Sequence, residues 1–316
     1  MPETCAGQLR TKLTSPAARA DLLNTRWNFC PSTAAAWLFC ILFALTTCAH
    51  LVQGIWHRKS YCWVIVCSGA LQTVNYVFRI ISIKNPTSLG DYAAWFIAPV
   101  FTNGFVYMVM GGFASPSASS ILKEALLICG LGRMVWNYVP DATIYRVTAW
   151  RFSTYFVVLD IIALIIQVIG AASAANSKSP KSHVLTAIHV YMGGVAFQQF
   201  FILVFAIFAL RFHRTVLHQR RQGVPGAASA LPLLYAIYAV LLLITIRIVF
   251  RLCEYSQGLD SSIPSHEVYQ YCLDSLPMLV ALLILNVFHP GRVMPGAKSD
   301  IPSRKVRKAE GHQIPL

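Results

Sequence analysis

Charge is what this sequence has least of. Only 12% of its 316 residues are Asp, Glu, Lys or Arg, against about 25% in an ordinary soluble domain. With 56% hydrophobic residues, a water-soluble fold is excluded and a chain that crosses a membrane repeatedly is expected. Catalytic signatures are missing as well. There is no H-E-x-x-H, no G-x-S-x-G elbow and no phosphate-cradling P-loop, so neither a hydrolase nor an ATP-driven pump is indicated. The nine histidines lack the paired spacing of metal-dependent membrane hydrolases or hydroxylases. No enzyme activity, cofactor or metal is therefore expected. No CxxC pair occurs among the nine cysteines. Cys40, Cys48 and Cys67 lie in apolar runs and read as small buried hydrophobes, while a bridge between Cys253 and Cys272, which flank one loop, is left open. No N-x-S/T acceptor exists, because Asn85-Pro86-Thr87 contains proline. Met1–Pro31 is polar without an apolar core, so no cleavable signal is expected.

What the chain does have is a series of apolar runs of membrane-crossing length, about 17–24 residues for roughly 30 Å of hydrocarbon. They are Thr33–Gln53, Cys62–Ser82, Ala93–Phe113, Tyr155–Ala174, Ala187–Leu210, Leu231–Val249 and Cys272–Phe288. None contains a Lys, which excludes a retinal Schiff base. Ile121–Gly130 is short and holds Lys123-Glu124, so it reads as an interfacial helix. The expected architecture is an all-α integral membrane protein, a seven-helix bundle over 33–288 with an extracellular tail 1–32 and a basic cytosolic tail 289–316. Orientation follows from the basic residues: with the N-terminus outside, outer segments hold 7 Lys and Arg and inner ones 16, which satisfies the positive-inside rule. The net charge of +14 thus reads as topology and contact with anionic headgroups, notably by Lys298, Arg304, Lys305, Arg307 and Lys308, and not as nucleic-acid binding.

Within the spans the polar residues are ordered. Arg247, Phe250, Arg251 and Glu254 fall at i, i+3, i+4 and i+7, one helix face, and Glu267 and Asp274 follow across a short loop. Gln72, Asn75, Tyr76 and Arg79 repeat the spacing in the second span. Pro99, Thr102, Asn103 and Tyr107 form a stripe in the third, Asp160, Gln167 and Ala171 in the fourth, Tyr191, Gly194 and Gln198 in the fifth. A central charge facing lipid costs roughly 2.5–3.5 kcal/mol, so these faces are expected to turn inward. Small and polar stripes serve helix packing in any bundle, and the charges fit two readings: a structural ion-pair latch, or a polar site for the head of an amphipath. Arg79, Arg247, Arg251, Glu254, Glu267 and Asp274 are the first candidates, with Asp160 and Gln167 as a second station. Val77-Phe78-Arg79 and Val249-Phe250-Arg251, followed by Pro99 and Pro277, suggest parallel three-helix repeats.

The ordered set Arg247, Phe250-Arg251, Glu254-Tyr255, Gln257-Gly258, His266-Glu267, Asp274 and His289-Pro290-Gly291 resembles the RTA-like family of fungal seven-helix proteins, the lipid-translocating exporters. The resemblance covers Phe29–Gly291. Two departures stand out: the family's second-helix acid is replaced by the Gln72, Asn75-Tyr76 pattern, and Gly111-Gly112 stands where Gly-Arg is frequent. The resemblance implies export or flipping of sphingoid long-chain bases, tolerance of sterol-like toxins, membrane lipids or amphipaths as partners, and residence in the plasma membrane. A seven-helix lipid sensor or receptor is the alternative, although the third span ends in Gly111-Gly112-Phe113 and the seventh reads Asn286-Val287-Phe288-His289-Pro290, neither of them a receptor pattern.

Overall fold

A run of 25 residues without a Lys, Arg, Asp or Glu, Thr33–His57, forms the first helix, α1. Its buried residues, Ala36, Cys40, Phe43, Thr46 and His50, step by three or four along one face. Its exposed residues are Trp37, Leu38, Ile41, Leu45, Val52, Ile55 and Trp56. That is a helix with an apolar outside and a mixed inside, as lipid demands. A computed structural model describes residues 31–57, 62–85, 88, 90, 131–139, 142–145, 147–174, 181–256, 266–289 and 292. The third span (Ala93–Phe113), the segment Ile121–Gly130, residues 1–30, the C-terminal tail apart from His289 and Arg292, and the side chain of Asp160 lie outside the described residues, and so does the test of the three-helix repeat.

After α1 come α2 (Cys62–Lys84), the short α3 (Leu131–Tyr138), a hairpin of β1 (Thr143–Ile144) and β2 (Val147–Thr148), then α4 (Ala149–Ala174) and α5 (Lys181–Arg221). A 3-10 turn (Ala227–Ala230) leads into α6 (Leu231–Ser256), and α7 runs over Glu267–Val287. Helices α1, α5, α6 and α7 are long and apolar enough to cross a membrane, and α4 contains a shorter apolar stretch, Ile161–Ala174. The chain is a multi-pass membrane protein. In α2 a buried stripe of Ser68, Gln72, Asn75 and Arg79 dilutes the apolarity. Neighbouring contacts pair α1 with α2, α4 with α5, α5 with α6, α6 with α7, and α7 back with α1.

Several expectations are corrected. The described residues are mostly helical, as expected, with one addition: Thr143 pairs with Thr148 and Ile144 with Val147 in a two-stranded antiparallel sheet, turned at Tyr145 with φ 50, the left-handed conformation a tight hairpin needs. Helix α5 is 41 residues long, roughly 60 Å at 1.5 Å per residue, far beyond Ala187–Leu210. Its extension keeps Phe212 and Val216 buried while Arg211, Arg214, Arg220 and Arg221 are exposed, so apolarity alone missed it. It stops at Gly223, φ 75, where the Val224 N–H donates to the Gln219 carbonyl at 3.1 Å, the closure typical of a glycine C-cap. Cys40 is buried, but Cys48 and Cys67 are exposed, because lipid replaces the protein core as the apolar surrounding of a small thiol. Cys253 and Cys272 are free.

Candidate functional site

The site begins with the winding of α7. Pro277 has no N–H to donate, and immediately before it Gln270–Ser275 widens into a π segment, closed by the Leu276 N–H to the Tyr271 carbonyl. The Ser275 hydroxyl donates back to the Gln270 carbonyl at 3.2 Å. The widened turn buries Gln270, Tyr271, Asp274 and Ser275 together, where an α-helix would present fewer to one side. Single π turns of this kind occur frequently at functional positions.

Helix α6 supplies the facing residues. Arg247 Nε lies 2.6 Å from Asp274 Oδ1. Arg251 donates to both oxygens of the same carboxylate, Nε to Oδ1 at 3.2 Å and Nη2 to Oδ2 at 2.7 Å. Its Nη1 donates to Glu254 Oε2 at 2.9 Å. The other Glu254 oxygen accepts from Gln270 Nε2 at 3.4 Å. Gln270 Oε1 in turn accepts from Arg79 Nη1 of α2 at 3.3 Å, and Arg79 Nη2 donates to Glu267 Oε1 at 2.8 Å. Glu267 Oε2 accepts the Ser32 backbone N–H at 2.7 Å, just before α1, where the Ser32 hydroxyl caps the helix by accepting from the Ala35 N–H. Three arginines and three acids thus form one connected, charge-balanced chain across α1, α2, α6 and α7.

Most of this network is dry. Arg247 is 1% exposed, Arg79 2%, Glu254 0% and Asp274 6%. A buried charge left alone would cost several kcal/mol, so each is paired. Rings close over it: Phe39 and Phe43 of α1, Tyr76 of α2 and Tyr271 of α7 stack with centroids 5.0–6.4 Å apart, and the Arg79 guanidinium sits 4.8 Å over the Tyr271 ring. Tyr76 donates to the Ser275 hydroxyl, a direct α2–α7 link.

The other end of the α1–α7 seam is built differently. His50 Nε2 lies 3.0 Å from the Leu282 carbonyl, Gln53 donates to the Asn286 carbonyl at 3.1 Å, and Asn286 donates to the Thr46 carbonyl at 3.3 Å. The His57 and His289 rings face at 4.8 Å. Burial, followed by the nearby His57, His50 and Arg292, lowers the pKa of His289, beyond the end of α7, to about 4. Hydrogen bonds, not ion pairs, join α1 to α7 at this end.

Of the eight residues singled out, Arg79, Arg247, Arg251, Glu254, Glu267 and Asp274 come together. Gln167 does not join them: it donates to Gln198 Oε1 at 2.9 Å in the α4–α5 seam, which is the packing role expected of a polar stripe. Asp160 stands on α4 with its side chain outside the described residues. Gln270, the joint between the two halves of the network, was missed. Its signal in the sequence was the four-residue spacing to Asp274 just ahead of Pro277. Among the described residues no group of three or more His, Cys, Asp or Glu is placed to hold a metal ion.

Residues 118–297 match the family described as RTA1 like protein, a stretch that includes all of the network except Arg79 and Ser32. The probable lipid transporter atnI of Emericella nidulans is 35% identical over 289 residues, 87% of this chain and 70% of that protein. The sphingoid long-chain base transporter RSB1 of Saccharomyces cerevisiae is 24% identical over 298 residues, 83% of this chain and 72% of its own. The lipid-translocating exporter-like protein RTA1 of Leptosphaeria maculans is 27% identical over 303 residues, 87% and 53% respectively. No solved structure matches the chain.

Proposed function

The chain belongs to the RTA1-like family, and from that premise we propose that it moves amphipathic lipids across the membrane, sphingoid long-chain bases first among them. The observation that carries this reading is the connected, charge-balanced network buried among four helices. A membrane protein bears the cost of intramembrane charge where a polar group must pass or bind. The names of the relatives, two of them transporters and one an exporter, point the same way.

The network suggests how a head is admitted. Its ion pairs are short, 2.6–2.9 Å, whereas the two bonds of Gln270 are long, at 3.3 and 3.4 Å. Gln270 is the weak joint. A polar head that replaces its two bonds separates the Arg79–Glu267 pair from the α6–α7 charges without stripping any charge of its partner. The lipid tail stays against the aliphatic outer faces of the helices. In this proposal seven spans over 33–288 set the N-terminus outside and the basic 289–316 tail on the cytosolic leaflet, in the plasma membrane, and transport gives tolerance to toxic amphipaths. A lipid-sensor role is not favoured, because these relatives are named for transport.

The test is release of labelled phytosphingosine from cells lacking related proteins, with empty vector, this protein and its Glu254→Gln variant compared at equal membrane levels. Glutamine keeps one acceptor for Arg251 but removes the Glu254 charge, leaving three arginines against two acids. Release that rises with the wild type and returns to baseline with Glu254→Gln is expected. Release that never exceeds the vector removes the proposal.

A further inference from the structure

Hydrogen-bond capacity, counted atom by atom, narrows what kind of head this site takes. All six carboxylate oxygens of Glu254, Glu267 and Asp274 are engaged. Each of these oxygens already faces a donor, so an added ammonium would share it with an arginine, Gln270 or the Ser32 N–H. The unmet capacity lies on Arg247. Its side chain is fully enclosed, its Nε faces Asp274, and among the described residues its Nη1 has no hydrogen-bond partner. Such an enclosed, unpaired donor is costly. On α2, Ser68 Oγ, Gln72 Oε1 and Asn75 Oδ1 are also buried without a partner among the described residues, and these three residues are at most 3% exposed.

Arg247 and Asn75 stand at one depth. Helix α7 runs antiparallel to α2, since Tyr76 meets Ser275 and Arg79 meets Glu267. It runs antiparallel to α6 as well, since Arg247 meets Asp274 and Glu254 meets Gln270. Arg247 and Asn75 therefore share the level of Asp274 and Ser275, with Gln72 one turn further from the charged end.

We propose that Arg247 and the Gln72–Asn75 stripe of α2 read the uncharged oxygen functions of the transported head, hydroxyl or carbonyl, and not its ammonium. The proposal rests on the translocation reading for its ligand class. A hydroxyl suits either side, because it can accept from Arg247 Nη1 or donate to an amide oxygen of α2. A phosphate or carboxylate would satisfy Nη1 but would add an uncompensated charge to a network already balanced at three and three. The hydroxyls of a head add hydrogen bonds without adding charge of their own.

The experiment compares two amphipaths of equal chain length and equal ammonium charge, sphinganine with its two hydroxyls and octadecylamine with none. Binding is measured to the purified full-length protein in nanodiscs, for the wild type, Arg247→Lys and Gln72→Leu. Lysine keeps a cation for Asp274 but has no second nitrogen to extend. Gln72→Leu leaves every ion pair intact, so it tests the stripe even if Arg247→Lys folds poorly. The wild type is expected to bind sphinganine at least about tenfold more tightly, a difference each variant reduces to about threefold or less. Equal affinity in the wild type, absence of binding by either amphipath, or an undiminished preference in both variants overturns the proposal. Flux of the same pair in proteoliposomes separates the two readings. A head preference in binding without flux defeats translocation and leaves head reading standing, whereas flux without preference does the reverse.

Discussion

The α6–α7 interface and the α4–α5 interface join apolar helices inside lipid with opposite materials. Between α4 and α5 the means is closeness. A Cβ on Gly170 would lie 2.5 Å from the Tyr191 backbone nitrogen, and one on Gly194 would lie 2.8 Å from Gln167 Cγ. One amide pair, Gln167 with Gln198, adds direction. Between α6 and α7 the means is charge, with Asp274 held by two arginines. Lipid tails are as apolar as leucine, so hydrophobicity does not draw helices together there and either device is needed. Closeness tolerates no bulk and has nothing to exchange. Charge tolerates substitution badly but presents bonds that a ligand can trade for its own.

Three substitutions press on that contrast. The largest effect is expected from Asp274→Ala, which strands Arg247 in a dry interior, leaves Arg251 with Glu254 alone and should cost about 3–5 kcal/mol, read as a collapse of the thermal unfolding midpoint in detergent. A midpoint close to wild type would mean that charge does not hold this interface. Gly170→Ala comes next. The new methyl meets backbone atoms at 2.5, 2.8 and 2.9 Å, none of which can swing aside, so a loss of about 1–3 kcal/mol is expected in the same assay. Gly193→Ala, one residue from Gly194, is the control. Nothing lies within 4 Å of its Cβ, and a mid-helix glycine exchanged for alanine should leave stability unchanged or raise it by up to about 1 kcal/mol. If Gly193→Ala is as damaging as Gly170→Ala, close approach is not what joins α4 to α5.

The helix-borne half of the site was legible in the sequence, and the pairing was not. Arg247, Arg251 and Glu254 share a face because 3.6 residues make a turn, and their insertion cost requires that face to turn inward. That Glu267 would choose Arg79, 188 residues away, depends on which helices become neighbours, and no local spacing encodes that. Likewise Pro277 was visible, but the π segment before it was not, since a proline in a helix can also produce a simple kink. The polar extension of α5 past Leu210 escaped a search for apolarity, although Phe212 and Val216 carry the four-residue period of a buried face. Cys48 and Cys67 were misplaced for a different reason: apolarity says that a residue avoids water, and in a membrane it can do so on the outside.

The extra residue in the π segment of α7 has a consequence for how this helix can change over time. Each residue of an α-helix turns the axis by about 100°, so one residue more in a single turn offsets everything on one side of it from everything on the other. Glu267 and Gln270 face the arginines, and Leu282 and Asn286 face His50 and Thr46, in two angular frames joined at one point. Loss of one residue between Gln270 and Ser275 would restore a single frame, swinging the arginine-facing end away while leaving the histidine-facing end in place. Point substitutions can alter what either end touches, but only an insertion or deletion resets the angle between them, and the two ends of one helix are free to diverge on separate schedules.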